Sequence, residues 1–136
     1  MKIKGISSEL LNQLFVIRKE FKLDLLILFG SRAKGNYKKN SDYDLAYFRH
    51  NQLIIDEEIR LISRLENVFK EKNFDIINLN KLNLSPILKY EIFKNGICLY
   101  QANKYLFENF KENIFFDYID SKNILEPTKE AFLNSI

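Results

Sequence analysis

Two aspartates one residue apart, Asp42 and Asp44, follow a Gly-Ser pair in the stretch LFGSRAKGNYKKNSDYDLAYF, residues 28–48. Side chains alternate between the faces of a strand, so Asp42 and Asp44 point the same way, about 7 Å apart by strand rise, and Tyr43 points the other way. Two ionised carboxylates side by side repel each other, and a cation between them removes that cost. An all-oxygen donor set suits Mg²⁺, which also takes phosphate oxygens as ligands. Upstream, Gly30 permits a sharp turn and leaves room for a ligand. The turn from Ser31 to Gly35 offers free amides to an anion, the Ser31 hydroxyl adds a hydrogen bond, and Arg32 and Lys34 add positive charge. A phosphate cradle beside a Mg²⁺ seat points to a nucleoside triphosphate.

A third carboxylate, Asp75, stands in FDI, flanked by apolar residues at the start of another short apolar run. If that run lies beside the strand of Asp44, the three carboxylates form a cluster able to clamp two Mg²⁺ ions for in-line phosphoryl or nucleotidyl transfer. Asp42 and Asp44 would bridge both ions. Asp75 would bind the catalytic one and help to deprotonate an acceptor hydroxyl.

The elements that must position these groups read as follows. Ser7 or Ser8 caps a first helix with apolar residues at Leu10, Leu11, Leu14, Ile17 and Phe21. LDLLILF (23–29) is a strand buried on both faces, SRAKG is one helical turn, and NYKKN is a polar loop containing Lys38 and Lys39. YDLAYF (43–48) is the second strand. Residues 54–72 form an amphipathic helix with an expected buried stripe of Ile55, Ile59, Ile62, Leu65 and Phe69. FDIINL (74–79) is the third strand. SPILKYEIFKNG (85–96) carries Ser85 as N-cap, Pro86 in the first turn and Gly96 past the end, and ICLY (97–100) is a fourth strand. A helix over about 103–119 and another after Pro127 follow. The expected fold is α/β (α+β), a small mixed sheet flanked by helices.

Composition bounds the rest. The 136 residues suit one domain, and a net charge of +3 without single-sign blocks argues against a dedicated nucleic-acid binder. Cys98 is the only cysteine, which excludes an internal disulfide and a thiolate metal cluster; it is expected to pack as a small apolar side chain. His50, the only histidine, is expected at the surface. With no leader-like or membrane-spanning run, a cytoplasmic location is expected. The aromatic-rich segment 105–118 fits a helix packed on the sheet, but Phe115 and Phe116 widen its apolar face, so some of its aromatics are expected to dock a partner.

Gly30-Ser31, ten residues, Asp42-x-Asp44, then a hydrophobic-flanked Asp75 resembles the signature of the DNA polymerase beta-type nucleotidyltransferase superfamily. The wording GSRAKG…SDYDLA and the run LSPILKYEIFKNGICLY resemble its minimal nucleotidyltransferases (MNT), and the tail from Tyr105 to Ile136 is similar to the C-terminal extension of MNT antitoxins paired with HEPN-domain toxins. The resemblance implies a nucleotidyltransferase domain over 1–101 and a helical extension over 102–136. It implies binding of ATP with Mg²⁺ and transfer of AMP to a tyrosine of a HEPN ribonuclease, which silences the toxin. Gly30 and Ser31 would hold the triphosphate and Asp42, Asp44 and Asp75 the metals. Family members often carry a second acid three positions after the residue matching Asp75, where this chain has Asn78. Residues three apart on a strand face opposite ways, so Asp75 takes the third ligand position. Two other readings stay open: nucleotide transfer to a small molecule such as an aminoglycoside, and neutralisation of a toxin by binding alone.

Overall fold

A computed structural model describes residues 2–121. Its elements run α1 (Ser8–Phe21), β1 (Leu25–Phe29), α2 (Ser31–Lys34), β2 (Tyr43–Phe48), α3 (Ile55–Phe69), β3 (Phe74–Asn78), α4 (Pro86–Asn95), β4 (Ile97–Gln101) and α5 (Leu106–Ser121). The strands form one mixed sheet in the order β3-β2-β1-β4. β1 is antiparallel to both β2 and β4, whereas β2 and β3 are parallel, joined by the crossover helix α3. The helix expected after Pro127 lies outside the described residues.

Local chemistry sets the helix boundaries. The Ser7 hydroxyl accepts from the Leu10 amide and starts α1. Ser85 does the same for Ile87 and Leu88 at α4, where Pro86 fills the first turn. The Glu57 carboxylate reaches back to the Ile54 amide at the start of α3.

Helices cover both faces of the sheet, which is why β1 reads as a nearly continuous apolar run. On one face α1 and α3 pack Leu10, Leu14, Ile17, Leu61, Leu65 and Phe69 against Leu26, Leu28, Leu45 and Tyr47. On the other, α4 and α5 pack Ile92, Phe93, Phe107, Ile114 and Phe115 against Leu25, Ile27 and Ala46. The described part of the segment after residue 101 thus shares a core with the sheet. Half-buried Cys98 packs against this second core, and burial pushes its thiol up. Phe116 and Tyr105 are exposed, whereas Phe107, Ile114 and Phe115 are buried. Among the described residues no helix is long and apolar enough to cross a membrane.

The buried face of α3 differs from the expected stripe. Leu61, Leu65 and Phe69 are buried, but Ile55, Ile59 and Ile62 are 74%, 58% and 42% exposed. The helix carries two overlapping apolar arcs, and periodicity alone fits either. A polar contact selects between them. Glu58 Oε1 accepts from Asn78 Nδ2 at 2.7 Å and from the Tyr47 hydroxyl at 3.4 Å, which turns the Glu58–Leu61–Leu65 line toward the sheet.

Candidate active site

Asp44 and Asp75 are direct cross-strand partners in the parallel β2–β3 pair, and Phe29 is the partner of Asp44 on β1. The condition attached to Asp75 from its sequence is therefore met: its strand is the neighbour of β2. Asp44 is half-buried, while Asp42 and Asp75 are exposed. Burial first, then the charge of Asp75, then that of Asp42 holds the Asp44 carboxyl above its ordinary value. Both other carboxylates thus act on Asp44, which stands between them.

Gly30 closes one side of this cluster. Its backbone has φ 75° and ψ −157°, a region essentially restricted to glycine. A Cβ added there would overlap Asp44 Oδ2, so the Asp44 carboxylate rests against the glycine backbone. Ala33 and Lys34 donate to the Gly30 carbonyl at 3.1 Å, so the amides of Ser31 and Arg32 precede the first bond of the turn. Gly35, with φ 83°, ends it.

The two basic residues of the turn part company. Lys34 is exposed at the surface, 3.7 Å from Glu91 of α4. Arg32, expected beside a phosphate, is 7% exposed and its guanidinium is used elsewhere. It donates to the carbonyls of Ser41, Lys39 and Gly5, and lies 4.1 Å from the ring centre of Tyr43 and 4.7 Å from that of Tyr37. Tyr43 points to the sheet face opposite Asp44. Arg32 therefore staples the 36–42 loop that leads into Asp42, instead of facing a ligand beside the carboxylates. Lys38 and Lys39 are exposed on this loop. His50 is also exposed; its Nδ1 is 3.0 Å from Asp24 at the other end of β2.

Asn78 faces away from the carboxylates. It is buried on the α3 side of β3, its Oδ1 accepting from the Asn80 amide at 2.9 Å and its amide nitrogen donating to Glu58. Burial first, then the Glu58 charge pushes the nearby Tyr47 phenol up. Restoring an acid by Asn78→Asp would set a carboxylate against Glu58. We expect a loss of about 2–4 kcal/mol in urea unfolding at neutral pH. The new carboxyl would have a raised value in the folded state, so the loss should shrink as pH falls toward the ordinary carboxylate range. Unchanged stability at neutral pH would show that Asn78 does not hold this network.

The donor set fits a divalent cation that arrives with a phosphorylated ligand. Among the described residues no three acidic, histidine or cysteine side chains, the three aspartates included, stand close enough together to hold a metal ion by themselves. Mg²⁺ needs no all-protein cage, since it binds through one or two carboxylates and takes its other ligands from phosphates and water. The mutual repulsion around Asp44 is the cost such an ion would relieve.

Residues 12–105 match the family described as Polymerase beta, Nucleotidyltransferase. The protein adenylyltransferase MntA of Aphanizomenon flos-aquae (strain 2012/KM1/D3) is 29% identical over 117 residues, covering 79% of this chain and 75% of that protein. Among solved structures, a toxin-antitoxin with AMP-PNP superposes with a TM-score of 0.65 at 22% identity, covering 92% of this chain and 96% of its own. A tri-AMPylated Shewanella oneidensis HEPN toxin in complex with MNT antitoxin gives a TM-score of 0.59 at 18% identity, covering 96% of this chain and 98% of the matched chain. At these identities the structural likeness establishes the shared fold.

Proposed function

This chain belongs to the polymerase beta nucleotidyltransferase family, and from that premise we propose that it is a protein adenylyltransferase, the antitoxin that transfers AMP from ATP to a tyrosine of a HEPN ribonuclease toxin. The observation that carries the reading is the cross-strand pair Asp44–Asp75, with the Gly30 backbone packed against Asp44. The relative named as a protein adenylyltransferase and the neighbour in complex with an AMPylated HEPN toxin support the choice of acceptor.

In this reading Gly30 and Ser31 line the triphosphate, and Lys34 stands at the rim as an exposed cation. Asp42 and Asp44, with Asp75, would hold Mg²⁺, which when bound neutralises the charge that builds on the departing pyrophosphate. Asp75, exposed on β3, accepts the proton of the incoming hydroxyl. The phenolic oxygen forms a bond to the α-phosphorus while the bond from that phosphorus to the bridging oxygen of pyrophosphate breaks. Arg32 keeps the loop before Asp42 in place and so fixes where the first carboxylate stands. The described part of the chain holds the sheet, its covering helices and little else, which favours an acceptor brought by a partner over a small molecule bound in a pocket of its own.

Intact-mass spectrometry of the partner toxin after incubation with the protein, ATP and Mg²⁺ tests this. We expect added AMP units, absent with the Asp42→Ala/Asp44→Ala double variant. A stable complex with no mass increase, and neutralisation by the double variant equal to that of the wild type, would favour blocking by binding alone.

A further inference from the structure

β3 is an edge strand, and it carries Asp75. Two bonds fix which of its backbone groups face inward: the Tyr43 amide donates to the Asn73 carbonyl at 3.0 Å, and the Leu79 amide donates to the Tyr47 carbonyl at 2.8 Å. Backbone direction alternates along a strand, so Asn73, Asp75, Ile77 and Leu79 bond to β2, whereas Phe74, Ile76 and Asn78 turn their N–H and C=O groups outward. The Asn78 carbonyl is taken by the Lys81 amide at 3.2 Å. Among the described residues, no hydrogen-bond partner meets the backbone groups of Phe74 and Ile76. The sheet therefore ends in a short row of two donors and two acceptors that straddles Asp75. The other edge strand, β4, carries no acidic residue.

We infer that this edge is the acceptor-docking strand: an extended segment of the partner protein pairs with Phe74 and Ile76 and lays its hydroxyl-bearing residue beside Asp75. The inference rests on the protein-acceptor reading above and adds how the acceptor is held. An unpaired edge selects an extended chain, because only a strand can satisfy such a row of groups. The register follows from the parity. Asp75 bonds inward, so in an antiparallel docked strand the residue opposite it occupies a non-hydrogen-bonded pair, the kind with the closer side chains, at a Cα separation of about 4.5 Å. That residue points to the same face as Asp75 and Asp44. A tyrosine is long enough to reach diagonally across a strand pair, which brings its hydroxyl over the carboxylates. The main chain supplies affinity, and the one position opposite Asp75 supplies the choice of acceptor.

Residue-resolved hydrogen exchange tests the docking. In the free protein the Asp75 and Ile77 amides should exchange at least about a hundredfold more slowly than those of Phe74 and Ile76. Adding the partner toxin with Mg²⁺ and α,β-methylene-ATP, which cannot release AMP, should slow Phe74 and Ile76 by about tenfold or more. The same toxin is assayed in parallel with ATP for added AMP. AMP transfer without protection of Phe74 and Ile76 overturns edge docking and leaves the transferase reading standing. Absence of transfer in a stable complex overturns the transferase reading, and the inference with it. Protection already present in the free protein also overturns the inference; its dependence on protein concentration then distinguishes a second copy from the chain's own segment. Ile76→Pro supplies an independent arm, since it removes an outward N–H and leaves the bonds to β2, with Ile76→Ala as the control for the core packing that it also loses. It should retain binding of α,β-methylene-ATP and raise the KM for the toxin by about tenfold, the effect of about 1.4 kcal/mol; an unchanged KM overturns the inference.

Discussion

Asp44→Asn abolishes AMP transfer and stabilises the metal-free protein. The two effects share one cause. Asp44 is the half-buried centre of three carboxylates, and burial, Asp75 and Asp42 all oppose its ionisation. In the unfolded chain it titrates near the ordinary aspartate value of 3.8. Above that value the folded state binds more protons than the unfolded state, so stability falls as pH rises from there through the raised folded value, and the deficit is complete beyond it. Asparagine keeps the shape and removes the charge. Its midpoint of thermal unfolding at pH 7 without Mg²⁺ should exceed that of the wild type, and the difference should vanish below the ordinary carboxylate range. Activity moves the other way. Losing a proposed metal ligand should reduce transfer by more than about a hundredfold, beyond what losing an outer-shell partner of a metal site produces. At sub-saturating Mg²⁺ and ATP, where the metal-free protein sets the rate, the wild type should show the matching pH dependence, its transfer falling on the acid side from a pH above the ordinary carboxylate range, as Asp44 takes up its proton. Mg²⁺ with a non-transferable ATP analogue should raise the wild-type midpoint and leave the variant unmoved. An Asp44→Asn protein that is no more stable than the wild type at pH 7 would remove the electrostatic account of the cluster.

Much of this site could be read from the residues because its parts are local. The apolar run to Phe29, the Gly-Ser turn and the alternation through Asp42 and Asp44 each span a few residues, and strand geometry dictates where their side chains point. Asp75 needed one non-local fact, that its strand neighbours β2, and the β2–α3–β3 crossover supplies it. Asn78 was placed away from the site by alternation alone, and its buried bond to Glu58 agrees. Arg32 could not be read this way. A basic residue after Gly-Ser suggests a phosphate, but its partners include the Gly5 carbonyl, 27 residues earlier, and the rings of Tyr37 and Tyr43. Only the path of the chain reveals that these meet. The face of α3 was obscured for a different reason. Two apolar arcs overlap on one helix, and the contact that selects one of them is polar, from a residue that hydrophobic periodicity ignores. The surplus arc leaves Ile54, Ile55, Ile59 and Ile62 exposed in one row.

Gly30→Ala should cost both stability and activity, and more of both than Gly35→Ala. Both glycines have positive φ, 75° and 83°. At Gly35 an added Cβ meets nothing within 4 Å, so Gly35→Ala bears only the backbone penalty, about 1–2 kcal/mol. At Gly30, whose ψ of −157° lies in a region essentially restricted to glycine, a backbone penalty at least as large is joined by the overlap with Asp44 Oδ2, since the new methyl occupies the place of the carboxylate. Overpacking of this kind costs a further ~1–3 kcal/mol. Gly30→Ala should therefore lose about 2–5 kcal/mol in urea unfolding, clearly more than Gly35→Ala. A double-mutant cycle isolates the contact. With Asp44→Ala the overlap disappears and the strain remains, so the double variant should be more stable than the sum of the single effects by about 1–2 kcal/mol. For activity the displaced group matters more than the lost energy. A shift of roughly 1 Å in a positioning group can cost about a hundredfold in rate, and relief of the clash moves Asp44 relative to Asp75. Additive stability effects in the cycle, or a Gly30→Ala protein with full transfer activity, would mean that the carboxylate is not held by the glycine backbone. Coupling together with lost transfer would tie the Gly-Ser turn to the carboxylate cluster as one device: the proposed seat of the triphosphate comes close to the carboxylates because Gly30 has no side chain, and that vacancy is where Asp44 rests.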